Sequence, residues 1–374
     1  MPCIAAATRK SNRRKNGRNS MIVLGIESSC DETAAALVTD GPRGDRRILA
    51  DLVTAQLEDH RPYGGVVPEV AARAHLDRLD KLVGQAMRDA GIGFDRIDAV
   101  AATGGPGLIG GVIVGVMTGK AIALVHRKPF LAVNHLEGHA LTARLTDDAE
   151  FPYLLLLVSG GHCQLLVVEG VGKYRRLGST IDDAAGEAFD KAAKLLGLGY
   201  PGGPSIERAA RNAQNPVKDL PRPMKGRAEL NFSFSGLKTA LRHKVEAMNP
   251  LDDQKRADLA AGFQQAAVES LIDRTRRAVH AARDLHPDLT ALVVAGGVAA
   301  NQALRAELEQ CAARAGLRFL APPLKLCTDN AAMIAWAGLE RFRLGQRDTL
   351  DFAPRPRWPL DETAPRLTGA GVKA

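Results

Sequence analysis

The sequence predicts an α/β protein of two like domains with a ligand cleft between them. Three observations carry that expectation. An apolar strand, a small-residue turn bearing polar groups and a returning apolar strand occur twice, over Ile22 to Thr39 and Tyr153 to Val168. Strand-to-helix units follow each hairpin, and their glycine turns would let both halves face one ligand. At 374 residues the chain is long enough for two proper cores.

The elements follow in order. Ile22 to Ile26 reads as a buried strand, Glu27 to Glu32 as a turn and Thr33 to Thr39 as the strand back. After a polar loop, Pro68 to Ala90 carries helical periodicity, and Asp98 to Thr103 is a strand ending in Gly104-Gly105-Pro106-Gly107. Leu108 to His126 reads as a helix and Pro129 to Val133 as a strand. The second cycle runs Tyr153 to Val158, the turn Ser159-Gly160-Gly161-His162, then Cys163 to Val168 and a helix over Asp183 to Leu196. Asn212 to Phe234, rich in Pro, Asn and basic residues, looks like an irregular insertion. A long helix from about Gln254 to Leu285, a strand at Ala291 to Ala295, and helices over Asn301 to Gly316 and Cys327 to Leu344 complete the body. The division expected is a basic disordered extension over 1–20, domains over 21–133 and 134–345, the insertion near 212–234, and a tail over 346–374. Residues 351–374, rich in Pro and Arg, are expected to be poorly ordered.

Composition is that of a globular protein, 45% apolar and 25% charged. No apolar run approaches the ~20 residues that span a bilayer; the longest is Ala331 to Ala337. The net charge of +8 belongs mainly to a tail: residues 1–20 hold six Lys and Arg and no acid, leaving 44 basic against 42 acidic residues elsewhere. That tail lacks the apolar stretch of a secretory signal and reads as upstream sequence included by a start-site choice, or else as an arm touching RNA. Five cysteines with no C-x-x-C pair suit a reduced, cytoplasmic protein.

His135 and His139 lie one helical turn apart, so both imidazoles would share a face and close on one cation. Equally, they would be two ordinary histidines on a helix surface. A zinc protease needs its glutamate directly after the first histidine. Here the acid is Glu137, which at about 100° per residue points away from both. Four glycine turns, at 104–107, 159–161, 201–204 and 296–297, favour a phosphate-bearing ligand, but none fits a P-loop or Rossmann pattern. Asp183 reads as an N-cap and Asp190 as a solvated helix face. Asn301 is a cap or a ligand contact, and Asp329 is a cap or the carboxylate of a two-His, one-carboxylate metal set.

Taken together, the runs Gly25 to Thr33, His135-Leu136-Glu137-Gly138-His139, Leu157 to His162, Ile181 to Lys191, Gly199 to Pro204, Asn231 to Lys238 and Gly296 to Asn301 closely resemble the TsaD family, the tRNA N6-adenosine threonylcarbamoyltransferases. The resemblance covers roughly residues 21–345. It implies the two-domain fold of actin, heat-shock ATPases and sugar kinases (RNase H-like), with ligand in the interdomain cleft. It implies transfer of the threonylcarbamoyl group from threonylcarbamoyl-adenylate to N6 of adenosine 37 in tRNAs reading ANN codons, forming t6A and releasing AMP. By resemblance the metal ligands are His135, His139 and Asp329, holding one divalent cation; Fe2+ suits the set and Zn2+ would fit almost as well. Substrate contacts carry over to Leu157, Val158, Ser159, Gly160, Gly161, Asp190, Gly203 and Asn301. Glu207 stands where some members carry a ligand-contacting acid, usually Asp. Implied partners are tRNA, a paralogous TsaB-like subunit and a TsaE-like ATPase, with no membrane. No nucleophilic Ser or Cys is required. Rival readings are a metalloprotease, a kinase or ATPase of the same fold, and a non-catalytic nucleotide-binding scaffold of a tRNA-modifying complex.

Overall fold

The structure, a computed structural model, describes residues 20–41, 46–63 and 65–365, so the basic stretch over 1–19 lies outside the described residues. Two five-stranded mixed sheets organise it. The first comprises β1 (Ile22–Glu27), β2 (Glu32–Asp40), β3 (Arg46–Ala55), β4 (Ala99–Gly105) and β5 (Phe130–Asn134), in the order β3-β2-β1-β4-β5. The second comprises β6 (Tyr153–Val158), β7 (Cys163–Gly170), β8 (Lys173–Ser179), β9 (Ala291–Ala295) and β10 (Arg318–Leu320), in the order β10-β9-β6-β7-β8. Read from the edge meander inward, these are one topology used twice. Three antiparallel strands come first, and two parallel strands are then added beside the first of them. That repeat is the fold of actin, heat-shock ATPases and sugar kinases.

The helices are α1 (Leu57–His60), α2 (Pro68–Asp89), α3 (Ile109–Val125), α4 (His135–Thr146), α5 (Ala185–Leu196), α6 (Gly202–Ala210), α7 (Ser235–Ala247), α8 (Asp253–Leu285), α9 (Gln302–Arg314) and α10 (Ala331–Arg343). α2 and α3 cover the outer face of the first sheet, where Leu79, Val83, Val112 and Val116 meet Leu24 and Ile26. α5 and α8 cover the outer face of the second, where Phe189 and Phe263 meet Leu154 and Leu156. α4 and α10 fill the space between the sheets, with Leu136, Ala140, Met333 and Trp336 buried among Val23, Leu131, Leu155 and Val293. A helix apolar all round must be enclosed. α10, with its run Ala331 to Ala337, is buried from Ala331 to Glu340.

α10 follows the second domain in sequence yet packs on the first sheet. Gly25 in β1 makes this approach feasible: a Cβ there would lie 2.4 Å from the Ala331 carbonyl oxygen and 2.6 Å from the Ala335 nitrogen. Gly25→Ala is expected to push α10 off β1 and cost about 2–3 kcal/mol in denaturant unfolding. A loss below about 0.5 kcal/mol would mean that the contact has room to relax.

The sequence reading omits β3, β8, β10, α6, α7 and the one-turn α1. β3, β8 and β10 lie at sheet edges, where one side needs no partner strand and polar residues interrupt the apolar pattern; β8 reads Lys-Tyr-Arg-Arg-Leu-Gly-Ser. α6 begins inside the Pro-Gly-Gly-Pro sequence, with Pro201 as its N-cap. The described part of the tail also departs from expectation, because residues 348–365 form a strap across both sheets, while 366–374 lie outside the described residues. The Ala132 amide donates to the Asp348 carboxylate (2.8 Å) and the Arg355 amide to the Gly104 carbonyl (2.8 Å). Asn134 Nδ2 donates to the Trp358 carbonyl (2.8 Å), and the Arg176 amide to Asp361 (2.9 Å). Its prolines break helix and strand, but these contacts and the Arg355–Trp358 stacking order it without either.

Candidate metal centre and interdomain cleft

β5 runs directly into α4. Asn134 caps the helix by accepting the Leu136 amide (2.9 Å), so His135 becomes its first residue and His139 lies one turn on. Both are buried, with perpendicular rings 4.9 Å apart. At the other side of the site Asn330, not Asp329, caps α10 by accepting the Met333 amide (2.9 Å). The Asp329 carboxylate is thereby left to face the histidines. Its Oδ1 is 3.1 Å from His139 Nε2 and 3.5 Å from His135 Nε2, and all three donor atoms lie within 4.8 Å of one another.

Two imidazole nitrogens and one carboxylate oxygen at that spacing form a donor set that could hold a metal ion. The shell behind it is unequal. His135 Nδ1 sits 3.0 Å from Glu27 Oε2 and 3.1 Å from Ser29 Oγ, while His139 Nδ1 is buried with no hydrogen-bond partner among the described residues. Glu27 closes β1 and is itself held by the Thr103 hydroxyl (2.6 Å) and the Ser29 amide (2.6 Å). The sequence reading assigns Glu27 no role of its own; its available signal is an acid ending the run Ile-Val-Leu-Gly-Ile.

The electrostatics demand positive charge. Burial opposes ionisation of His135, but Asp329 and Glu27 outweigh it and raise its pKa to about 9. Burial likewise disfavours the charged Asp329 and Glu27, yet the neighbouring histidines hold both carboxyls below their ordinary values. Loss of solvent and the neighbouring Asp329 and Asp31 charges push the half-buried Glu32 well up. More carboxylate converges here than two histidines balance, which is the environment a cation relieves. Glu137 takes no part. It is buried on the far side of α4, accepting from Arg341 Nε, the Tyr174 hydroxyl (2.8 Å) and the Gly172 amide (3.0 Å).

Three of the four glycine turns, 159–161, 201–204 and 296–297, lie on the second domain, beyond the carboxyl ends of β6 and β9 and beside the N-termini of α5, α6 and α9, while 104–107 follows β4 of the first sheet. This is where open α/β sheets place ligands. Leu157 and Val158 are fully buried at the end of β6, with Leu157 paired to Gln164 and Ala295 and Val158 to Cys163. The Ser159 amide is already committed to the His162 carbonyl (2.8 Å), and its Oγ accepts the His162 amide (3.1 Å). The Gly160 and Gly161 amides have no such bond among the described residues. Gly296, at φ +95°, lets the β9 turn press on β6, for a Cβ there would lie 2.3 Å from the Val158 carbonyl oxygen.

Asp190 is not on a solvated face. It is half-buried and accepts the Gly202 amide (2.7 Å), fastening the start of α6, which carries Gly203, to α5. Burial raises its pKa, opposed by that hydrogen bond. Asn301 caps α9 through the Leu304 amide (3.0 Å) and donates to Gln264 (2.8 Å); Glu207 accepts the adjacent Gln302 amide (3.0 Å). Asp183 is not an N-cap, since α5 starts after Ala184; its carboxylate bridges Lys191 (2.8 Å) and Lys238 (2.9 Å). The two clusters lie within electrostatic reach of each other. The charge of Asp31, in the β1–β2 turn, acts on Asp190, and that of His162 acts on Asp329.

Residues 47–336 match the family model of TsaD, tRNA N6-adenosine threonylcarbamoyltransferase. A protein of that name from Paramagnetospirillum magneticum is 67% identical over 345 residues, 92% of this chain and 98% of the relative. Another from Rhodospirillum rubrum is 63% identical, over 94% of this chain and 98% of the relative. Among solved structures, the HypF of T. kodakarensis matches 87% of this chain and 48% of its own at TM-score 0.56 and 15% identity, a likeness of fold alone.

Proposed function

This chain belongs to the TsaD family and is a tRNA N6-adenosine threonylcarbamoyltransferase that forms t6A, and from that premise we propose how its cleft performs the transfer. The donor is threonylcarbamoyl-adenylate, the acceptor N6 of adenosine 37 in tRNAs reading ANN codons, and the released product AMP. The observation that carries this reading is the convergence of His135, His139 and Asp329 into one donor set, within electrostatic reach of His162 beside the Ser159-Gly160-Gly161 turn.

The exocyclic amine is a weak nucleophile, but the adenylate is an activated mixed anhydride with a phosphate leaving group. The protein therefore needs mainly to orient the two and stabilise negative charge. His135, His139 and Asp329 would hold one divalent cation, Fe2+ by preference with Zn2+ fitting almost as well. When bound, such a cation neutralises phosphate oxygens and acts as a template for the donor. Glu27 and Ser29 fix the His135 ring so that Nε2 faces the site. Gly160 and Gly161 offer their amides to the phosphate, with Leu157, Val158 and Ser159 contributing backbone and the Ser159 side chain shaping the turn. Asp190, Gly203, Glu207 and Asn301 line the nucleoside side. Among the described residues no thiol suits the role of nucleophile: burial pushes Cys30, Cys163, Cys311 and Cys327 up from the ordinary thiol range.

A paralogous TsaB-like subunit and a TsaE-like ATPase complete the system. α3 exposes Ile113, Met117 and Leu124 and α2 exposes Leu76, an apolar helical face suited to the same helices of a partner sharing this fold. Free cysteines and an RNA substrate suit the cytoplasm. Among the described residues no helix is long and apolar enough to cross a membrane.

The test is single-turnover transfer from threonylcarbamoyl-adenylate to unmodified tRNA with partners present. Modified adenosine and AMP should form in equal amounts. Their absence from metal-loaded protein would promote the scaffold reading.

A further inference from the structure

Positive charge in the folded chain is concentrated in one segment. Outside residues 1–20, Lys and Arg barely outnumber Asp and Glu. Residues 208–244 nevertheless carry nine Lys and Arg against two acids, Asp219 and Glu229, which leaves the remainder of 21–374 net negative. The segment spans the end of α6, the irregular stretch 212–234 and most of α7.

That stretch has no helix or strand, yet it is fastened at every stage. The Gln214 and Asn215 amides donate to Asp258 (2.9 Å each), and Arg222 Nε bonds Glu269 (2.8 Å). Arg274, buried within α8 and paired with Asp273, donates through Nη1 to the carbonyls of Arg227 (2.9 Å) and Glu229 (2.5 Å). A buried guanidinium spent on two loop carbonyls fixes the backbone that carries Lys225 and Arg227. At the far end the Ile181 amide donates to the Phe232 carbonyl (2.9 Å), and Asp182 accepts the Phe234 amide (2.8 Å), tying the loop to the segment that opens α5.

Lys218, Lys225 and Arg227 are exposed and have no carboxylate partner among the described residues. They lie along one loop gathered about Arg222, whose Nη1 donates to the Lys218 carbonyl (2.9 Å). Asp219, beside Lys218, pairs with Lys244 of α7, and the charge of Lys225 acts on Glu269 beside Arg222. A rigid loop that gathers unneutralised cations raises self-repulsion without serving the fold, and a polyanion relieves it. Among the described residues no large apolar side chain is exposed between Tyr200 and Leu285, so the surface lacks the anchors of a protein interface.

We infer that this loop and α7 form the surface on which the phosphate backbone of the tRNA lies, with Lys218, Lys225 and Arg227 as phosphate contacts. The inference rests on the tRNA-modifying reading and adds where the RNA is held. These contacts carry no sequence information; they set the register that brings the target base to the cleft.

The test uses the full chain with its partner proteins and unmodified tRNA, comparing wild type with Lys218→Glu/Lys225→Glu/Arg227→Glu by fluorescence anisotropy across a salt series. The Kd for tRNA should rise ~10- to 100-fold near 0.1 M salt, and the slope of log K against log salt should shrink by about 2. Transfer at limiting tRNA should fall by a similar factor and recover as tRNA is raised. The same sites changed to Gln should move in the same direction by less, which keeps the test open if charge reversal impairs folding. Arg314→Glu/Arg347→Glu, exposed cations elsewhere, should change little. Unchanged tRNA affinity in folded variants, with wild type active, overturns the surface and leaves the transferase standing. Lost partner assembly with tRNA affinity of the isolated chain intact makes it a protein-docking face and overturns it as well. Absence of transfer in wild type counts against the enzymatic reading, while anisotropy still reads the surface.

Discussion

Asp329→Ala and His139→Ala are each expected to lower single-turnover transfer on the order of 10³-fold, with loss of bound metal by elemental analysis. The reason lies in how few donors there are. Removing one of three leaves two donors, both imidazoles in Asp329→Ala or one imidazole and one carboxylate in His139→Ala, too few to hold a divalent cation against solvent. Asp329 has the sharper role because it comes from outside α4. Its loop precedes α10, so it ties the site to the first sheet, on which α10 packs. Glu27→Gln offers a graded comparison. It keeps size but removes the charge beside His135 Nδ1, and it should cost ~10- to 100-fold in metal affinity. Full metal content and full transfer in Asp329→Ala would refute the three-ligand centre.

Glu137→Ala should act on stability and not on chemistry. Glu137 is completely buried and holds Arg341, the Tyr174 hydroxyl and the Gly172 amide, joining α4 to α10 and to the β7–β8 turn. Deleting it strands a largely buried guanidinium and a phenol whose pKa burial already raises well above the ordinary value. Breaking a buried pair this way costs about 3 kcal/mol or more, measurable as a lowered denaturant midpoint with unchanged slope. Transfer per folded molecule should stay close to wild type. Were Glu137→Gln to abolish reaction while leaving stability untouched, Glu137 would be a catalytic base and the metalloprotease reading would return.

Much of the molecule is legible before folding because buried parallel strands and helix starts are local signals. Tyr153-Leu154-Leu155-Leu156-Leu157-Val158 is a continuous apolar run, buried on both faces, and its bounds as β6 match the pattern. The edge strand β8 is not legible, since half its surface meets solvent and Arg and Lys sit there without penalty. The strap over 348–365 is invisible for another reason: its order comes from bonds to Gly104, Asn134 and Arg176, far away in sequence.

Spacing alone determined that His135 and His139 share a helical face and that Glu137 looks away. It determined that two hairpins recur and that glycine turns follow the strands, because helical and strand periodicities are properties of neighbouring residues. Which of two roles each polar residue takes was decided by tertiary structure. Asn330 takes the cap and frees Asp329, Asp183 gives its carboxylate to two lysines, and Asp190 secures α6. A carboxylate does whatever its nearest donors require, and here those donors arrive from other helices, strands and loops, which no local pattern encodes.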